Sequence, residues 1–207
     1  MLVTGIKSKP VYAPLQADLR GRYHLMLAMG VGAAPLLRVI AEMQDCAPQA
    51  LKDTQVLFVP DSATAAADTP GIDEFRAAAV GGAQAYPTTA ALLSEFKEVL
   101  ASSLMGTRLY VAGPESFIGL AMKIALEFNL NKDEIRAEEC GTLARRVYCI
   151  HCRATAENVR TNIVRCLSCE RWLLVRDHYS RRLAAYMGVM VDAEAPGELP
   201  PLKEVFL

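Results

Sequence analysis

The sequence contains no apolar run near the roughly 18 residues that a membrane-spanning helix needs, which excludes such a helix. Net charge is almost absent, at −1, so no overall field attracts nucleic acid or an anionic membrane. The first residues lack the basic end, apolar stretch and cleavage site of a secretory signal peptide. Apolar residues nevertheless make up 52% of the 207 residues, as in folded globular proteins. Together these features predict a soluble cytoplasmic protein.

Charge is distributed unevenly along the chain. Residues 1–140 carry 12 Lys and Arg against 16 Asp and Glu, a net charge of −4. Residues 141–191 carry nine Arg, no Lys and three acids, a net charge of +6, whereas residues 192–207 have a net charge of −3. This pattern predicts an α/β domain over 1–140 and a basic module over 141–191. The acidic residues 192–207 are expected to form an extended arm that packs on its own chain or on a partner.

Short apolar segments alternate with helical patterns over residues 1–140, which predicts a parallel sheet flanked by helices. Strands are expected at 23–29, 55–60, 84–86, 108–112 and 134–138. Helices are expected after Pro35 and at 72–79, 90–103 and 115–129, with a loop over 61–71. The expected core residues are Leu25, Leu27, Leu37, Ile40, Val56, Phe58, Leu109, Val111, Phe117 and Ile124.

Four of the six cysteines form two Cys-x2-Cys pairs, Cys149 with Cys152 and Cys166 with Cys169, with 13 residues between the pairs. In a reducing compartment, clustered cysteines indicate metal or redox chemistry before disulfides. Two such pairs complete a tetrahedral site of four thiolates. A small zinc-ribbon or rubredoxin-like module is therefore expected over residues 141–191, flanked by short strands at 145–149 and 171–175.

The metal in this module is predicted to be structural zinc, with a single rubredoxin-type iron or an iron–sulfur cluster as alternatives. Rubredoxin-type turns usually place glycine directly after the second cysteine of each pair. This chain has Arg153 and Glu170 at those positions, which favours zinc. A module of about 50 residues has a marginal core, so a metal would supply much of its stability.

Two glycine-containing turns follow predicted strands. Gly30 and Gly32 precede a helix that has Pro35 in its first turn, and Gly113 and Pro114 end a later strand. A glycine turn before a helix can hold a phosphate, although turn chemistry alone also explains it. The two turns together resemble the nicotinamide-binding domain of the ferredoxin reductase family, which has G-x-G-x-x-P and later C-G-P. The resemblance implies nucleotide contacts from these five residues.

The chain departs from that family in three ways. The cysteine of C-G-P, which lies near the nicotinamide ring, is Ala112 here, and no Arg follows the second strand to bind a ribose phosphate. Only some 20 residues precede the first strand, too few for a flavin-binding barrel. The resemblance, over residues 22–140, therefore implies a degenerate domain. Such a domain binds a nucleotide weakly or serves as a docking scaffold.

The motif D-H-Y-S-R-R-x-A-A-Y-M-G-V over 177–189 follows the cysteine module. Together they resemble the DmmA-like subunit family of bacterial dimethylamine monooxygenase, and the resemblance spans nearly the whole chain. It implies a non-catalytic or electron-transfer subunit of a complex that converts dimethylamine to methylamine and formaldehyde with NADPH and O2. Flavin and haem are expected on partner reductase and oxygenase subunits. Asp177 and His178 are interpreted as structural or interface residues that support the metal module by hydrogen bonds.

Two other functions stay open at this point. The Arg-rich segment 141–191 is compatible with a zinc ribbon that binds nucleic acid, although aromatic residues for base stacking are sparse there. The glycine turns are compatible with a stand-alone NAD(P)H-dependent reductase, but Ala112 and the missing flavin domain argue against it. We expect no catalysis by this chain alone.

Overall fold

A computed structural model describes residues 8–60, 70–78 and 80–207 of the chain. The chain divides into two compact units: Tyr12–Gly141, and a second unit that combines residues 8–11 with Thr142–Leu207. The charge pattern places residues 8–11 in the α/β domain, whereas the structure places them in the second unit. There the backbone N–H of Ser8 donates to the carbonyl of Asp177 at 2.9 Å.

The first unit, the α/β unit, contains one parallel sheet of five strands in the order β3-β2-β1-β4-β5. Its strands are β1 Tyr23–Met29, β2 Thr54–Val59, β3 Gly82–Ala85, β4 Thr107–Gly113 and β5 Ile135–Glu139. Its helices are α1 Ala33–Cys46, α2 Ile72–Ala77, α3 Thr89–Ser102 and α4 Glu115–Glu127. This confirms the predicted α/β fold, and the strand bounds differ from those predicted by at most two residues.

Alternate residues of the inner strands point to opposite faces of the sheet, so the sheet has a core on each side. One cluster, which α3 and α4 cover, includes Leu25, Leu27, Leu109, Val111 and Phe117. The other, which α1 covers, includes Met26, Ala28, Ile40, Tyr110 and Ala112. Nine of the ten expected core residues are buried. Leu37 is half-buried, because it lies on the flank of α1 rather than on its inner face.

The second unit, the cysteine unit, contains a five-stranded sheet in the order β7-β6-β10-β9-β8. Its strands are β6 Arg145–Cys149, β7 Thr155–Val159, β8 Ile163–Arg165, β9 Trp172–Ser180 and β10 Ala185–Met190. β6 and β10 are parallel, and the other neighbouring strands are antiparallel. The sequence indicated β6 and the start of β9. It missed β7, which is rich in polar residues, β8, which has three residues, and β10.

The acidic segment 192–207 packs on its own chain. The N–H groups of Val205 and Phe206 donate to the carbonyl of Arg160 at 2.9 and 3.0 Å. A β-bridge also joins Glu204 to Thr161. These bonds place the end of the segment within the cysteine unit.

Two sequence predictions fall partly outside the described residues. Of the loop predicted for 61–71, residues 61–69 are not described, and residue 79 of the helix predicted for 72–79 is not described either. Within the described ranges, no helix is long and apolar enough to span a bilayer.

Candidate metal centre and the glycine turns

The two Cys-x2-Cys pairs form matching turns after β6 and β8. In the first, the N–H of Arg153 donates to the carbonyl of Cys149 at 2.9 Å. In the second, the N–H of Glu170 donates to the carbonyl of Cys166, also at 2.9 Å. Both donor residues have positive φ, 68° for Arg153 and 60° for Glu170. The backbone therefore takes the left-handed conformation that glycine favours, although neither residue is glycine.

These matching turns bring the four predicted ligand residues together. The Sγ atoms of Cys149 and Cys169 are 3.8 Å apart, and those of Cys152 and Cys166 are 3.5 Å apart. All four sulfur atoms lie within 4.8 Å of one another. A tetrahedral ion about 2.3 Å from each sulfur requires sulfur separations of about 3.8 Å. The donor set therefore fits one thiophilic ion, and the four-cysteine cluster could hold a metal.

The surroundings of the cluster stabilise thiolates unevenly. A hydrogen bond from the backbone N–H of Ala154 lowers the pKa of Cys152 to about 6. The backbone N–H of Arg171 likewise lowers the pKa of Cys169. Burial raises the pKa of Cys149 to about 11. Metal binding requires thiolates, so a bound cation would supply the charge that keeps Cys149 ionised.

His151 and Asp177 are not placed to ligate the cluster's ion. Nδ1 of His151 lies 3.0 Å from the guanidinium of Arg171, which has only donors, so Nδ1 accepts that hydrogen bond. The carboxylate of Asp177 accepts a hydrogen bond from Arg145 at 2.7 Å. Asp177 therefore supports the cysteine unit through Arg145, the first residue of β6, and among the described residues no hydrogen bond joins its side chain to a cysteine of the cluster.

Sequence reasoning missed Arg145, which is only 7% exposed. Its guanidinium lies between two aromatic rings, 4.0 Å from the ring centre of Tyr186 and 3.8 Å from that of Phe206. Cation–π contact and the ion pair with Asp177 offset the cost of burying the charge. The D-H-Y-S motif and the acidic segment thus meet at one buried arginine. In the sequence, the only signals of this contact were the adjacent Arg145 and Arg146 and a Phe next to the last residue.

The predicted glycine turns lie at the carboxyl ends of β1 and β4. A Cβ atom on Gly32 would lie 2.2 Å from the carbonyl oxygen of Ala112, so this position requires glycine. Gly30 has a φ of 52°, and Pro35 lies in the first turn of α1. Close packing of two backbones therefore accounts for Gly32 without a ligand.

In open α/β sheets, nucleotides bind where the strand order reverses, here between β1 and β4. After β5, the N–H of Cys140 donates to the carbonyl of Gly113 at 3.0 Å, which continues the β4–β5 pairing. A Cβ atom on the next residue, Gly141, would lie 3.3 Å from the Val31 side chain and 3.7 Å from the Pro114 ring, so the chain passes close to both glycine turns.

The neighbouring helix, α4, begins directly after Pro114. The side chain of its first residue, Glu115, is buried. The N–H groups of Phe117 and Ile118 donate to the carbonyl of Pro114, as in an ordinary first helical turn. The structure thus brings the five glycine-turn residues to the carboxyl ends of β1 and β4, and nucleotide binding by them stays a prediction.

The fold and the site define a parallel α/β domain and a four-cysteine module in one chain. The chain belongs to the dimethylamine monooxygenase subunit DmmA-like family. The model of that family's N-terminal domain matches residues 4–135, and the model of its C-terminal domain matches residues 146–189. This confirms the resemblance drawn from the sequence.

One relative is the haem-dependent oxidative N-demethylase delta subunit of Ectopseudomonas mendocina (strain ymp), 32% identical over 111 residues. The match covers 54% of this chain and 63% of that subunit, less than two thirds of its length.

Solved structures with similar folds include the ferredoxin reductase of carbazole 1,9a-dioxygenase (TM-score 0.47, 14% identity). That match covers 61% of this chain and 40% of the reductase. Another is phthalate dioxygenase reductase (TM-score 0.44, 16% identity), with coverage of 69% and 45%.

Proposed function

We propose that this chain is a non-catalytic subunit of a multicomponent oxidative N-demethylase. One metal ion, bound by the four cysteines, stabilises its cysteine unit. The substrate is dimethylamine, which O2 and NADPH convert to methylamine, formaldehyde, water and NADP⁺. The carrying observation is the cluster of four sulfur atoms within 4.8 Å of one another, in a chain that also contains a five-stranded parallel α/β sheet. Membership of the DmmA-like family and the 32% identical delta subunit support the same assignment.

The chain that follows β5 supports a scaffold role for the α/β unit. A nucleotide at the β1–β4 reversal would meet Gly141, because a Cβ atom on that residue would lie only 3.3 Å from Val31 and 3.7 Å from Pro114. Flavin and haem are therefore assigned to partner reductase and oxygenase subunits. The stand-alone reductase is set aside on the same grounds.

The metal is proposed to be zinc, with Cys149, Cys152, Cys166 and Cys169 as its ligands. Zinc has no redox chemistry, so it would act as a staple, and electrons would pass through other subunits. The observation that favours the alternative, a single iron, is the left-handed backbone at Arg153 and Glu170. This conformation removes the objection that those positions lack glycine.

Internal pairing weakens the nucleic-acid alternative. Each of the three acids in 141–191 pairs with an arginine: Glu157 with Arg146, Glu170 with Arg165, and Asp177 with Arg145. Arg145 is buried and unavailable to a phosphate backbone. The positive charge that is left suits an acidic protein surface as well as DNA.

The testing experiment is co-expression of the full chain with its tagged haem-containing and reductase subunits. We expect co-purification, one zinc per chain, no visible absorption from this chain, and lower dimethylamine turnover when the chain is omitted. If the chain instead contains iron, with charge-transfer bands that bleach on reduction, the four-cysteine site transfers electrons and is not only structural. A chain that never associates, and whose omission leaves turnover unchanged, would refute the assignment.

A further inference from the structure

The tips of the two cysteine turns expose large apolar side chains. Leu167 directly follows Cys166 and is 95% exposed, and Ile150 directly follows Cys149 and is 54% exposed. The turns force this, since each buries its first cysteine and so points the next residue away from the cluster. We call Ile150, Leu167 and the adjoining exposed residues His151, Arg153 and Ser168 the knuckle face.

An apolar groove of about 240 Å³ opens beside Leu167. It lies between the second cysteine turn and the strands β6 and β7. Its lining is mainly apolar and includes Val147, Ala154, Ala156, Leu167 and Leu173. Cys149 and Cys166 also line it. A groove with an exposed Leu at its edge can accept an apolar side chain of another molecule.

The charge around the knuckle face is positive. Arg153 ends the first turn, and Arg171 directly follows Glu170, which ends the second turn. Glu170 itself pairs with Arg165, on the other side of the second turn, at 3.0 Å. A second copy of this chain would present the same positive face in a symmetric contact, which like charges disfavour. Among the described residues, this face has no Phe, Tyr or Trp on which a base could stack.

We propose that the knuckle face docks another subunit of the N-demethylase through an apolar side chain that enters the groove and is ringed by Asp and Glu. The inference rests on the proposed function, because it names the partner as a subunit of that complex. An apolar centre with a charged rim is the usual anatomy of a protein–protein interface. Docking on this face would cover Leu167, which is exposed to water in the unbound chain.

The test compares three full-length chains, wild type, Leu167→Glu and Met105→Glu, for binding to the immobilised co-expressed haem and reductase subunits. Met105 is the matched control, because it is 97% exposed and lies in the α/β unit, outside the knuckle face. We expect Leu167→Glu to weaken binding at least tenfold, and Met105→Glu to change it less than twofold. Raising the salt concentration should weaken wild-type binding, and Arg153→Glu should reduce this dependence.

Metal content and thermal unfolding, measured on each variant, separate loss of docking from loss of folding. If Leu167→Glu holds its metal and binds like the wild type, the docking face is wrong while the proposed function stands. If the wild-type chain binds neither subunit, both fail. If Leu167→Glu binds the subunits like the wild type but loses self-association, the partner of the knuckle face is a second copy of the chain. If it instead loses binding to random-sequence duplex DNA, the partner is a nucleic acid.

Discussion

The two units of this chain are stabilised in different ways. The α/β unit has two apolar clusters with 16 and 14 buried residues among those described. The cysteine unit has clusters of five and three, and two of those three are cysteines of the metal cluster. Burial at about 25 cal/mol per Å² can stabilise the first unit, whereas the second has far fewer buried apolar residues in its clusters. The comparison teaches that a short unit with a small core would gain most from a metal bound to its cysteines.

The largest expected effect comes from removing one ligand of the cluster. Cys166→Ser should abolish binding of the one metal ion and unfold the cysteine unit, because metal binding supplies its folding free energy. The α/β unit should stay folded, since its core is separate. Metal analysis and segment-resolved hydrogen exchange measure the two outcomes.

The control for this change is Cys46→Ser, which alters an exposed cysteine outside the cluster. It should leave metal content and exchange protection unchanged. Full protection of residues 145–190 in metal-free Cys166→Ser would show that the cysteine unit needs no metal. It would contradict the difference in stabilisation between the two units.

The next effect in size affects the other unit. Gly32→Ala would place a methyl group 2.2 Å from the carbonyl oxygen of Ala112 and force β4 and α1 apart. We expect a loss of about 3 kcal/mol in the free energy of unfolding of the α/β unit, with metal content unchanged. Urea unfolding, followed together with metal content, tests this.

Gly82→Ala is the matched control, because the nearest atom to its added methyl group is 4.0 Å away. Its effect should stay within about 0.5 kcal/mol. Equal losses from the two substitutions would contradict the close approach of the backbones at Gly32.

The smallest effect depends on pH and sharpens the comparison within the α/β unit. The Arg20 side chain, which hydrogen-bonds the carboxylate of Asp18, holds the pKa of Asp18 well below its usual value near 3.8. Arg136 and Arg108 also lie within 3.4 Å of this carboxylate. A lowered folded-state pKa stabilises the fold above pH 4, and this stability is lost as the pH falls. Asp18→Asn should cost about 2 kcal/mol at pH 7.

The difference between Asp18→Asn and wild type should shrink as the pH falls below 4, because the unfolded wild-type chain then binds a proton at this carboxyl, whereas the folded chain binds it only at lower pH. Urea unfolding at several pH values measures it. Asp73→Asn changes an 86% exposed carboxylate that pairs with Arg76, and should cost less than about 0.5 kcal/mol. A difference that stays constant down to pH 2 would show that the Asp18 charge does not stabilise the fold.

Much of the fold was predictable because its signals are local. The strand from Tyr23 to Met29 is an apolar run bounded by glycine, and α4 shows the helical spacing of Phe117 and Ile124. Cysteine spacing likewise predicted the cluster, since a Cys-x2-Cys turn places both sulfurs on one side. The strand β7 was missed because its pairing with β6, rather than its polar composition, makes it a strand.

The sequence by itself determined the α/β order, the two cysteine turns and the division of charge along the chain, because each depends on residues close together in sequence. Tertiary structure decided what surrounds the glycine turns. The chain after β5 brings Gly141 close to the side chain of Val31, a proximity that no local pattern predicts. It also decided the burial of Arg145 against Phe206, 61 residues along the chain. Packing between distant segments sets which polar groups are enclosed, and that depends on the whole fold.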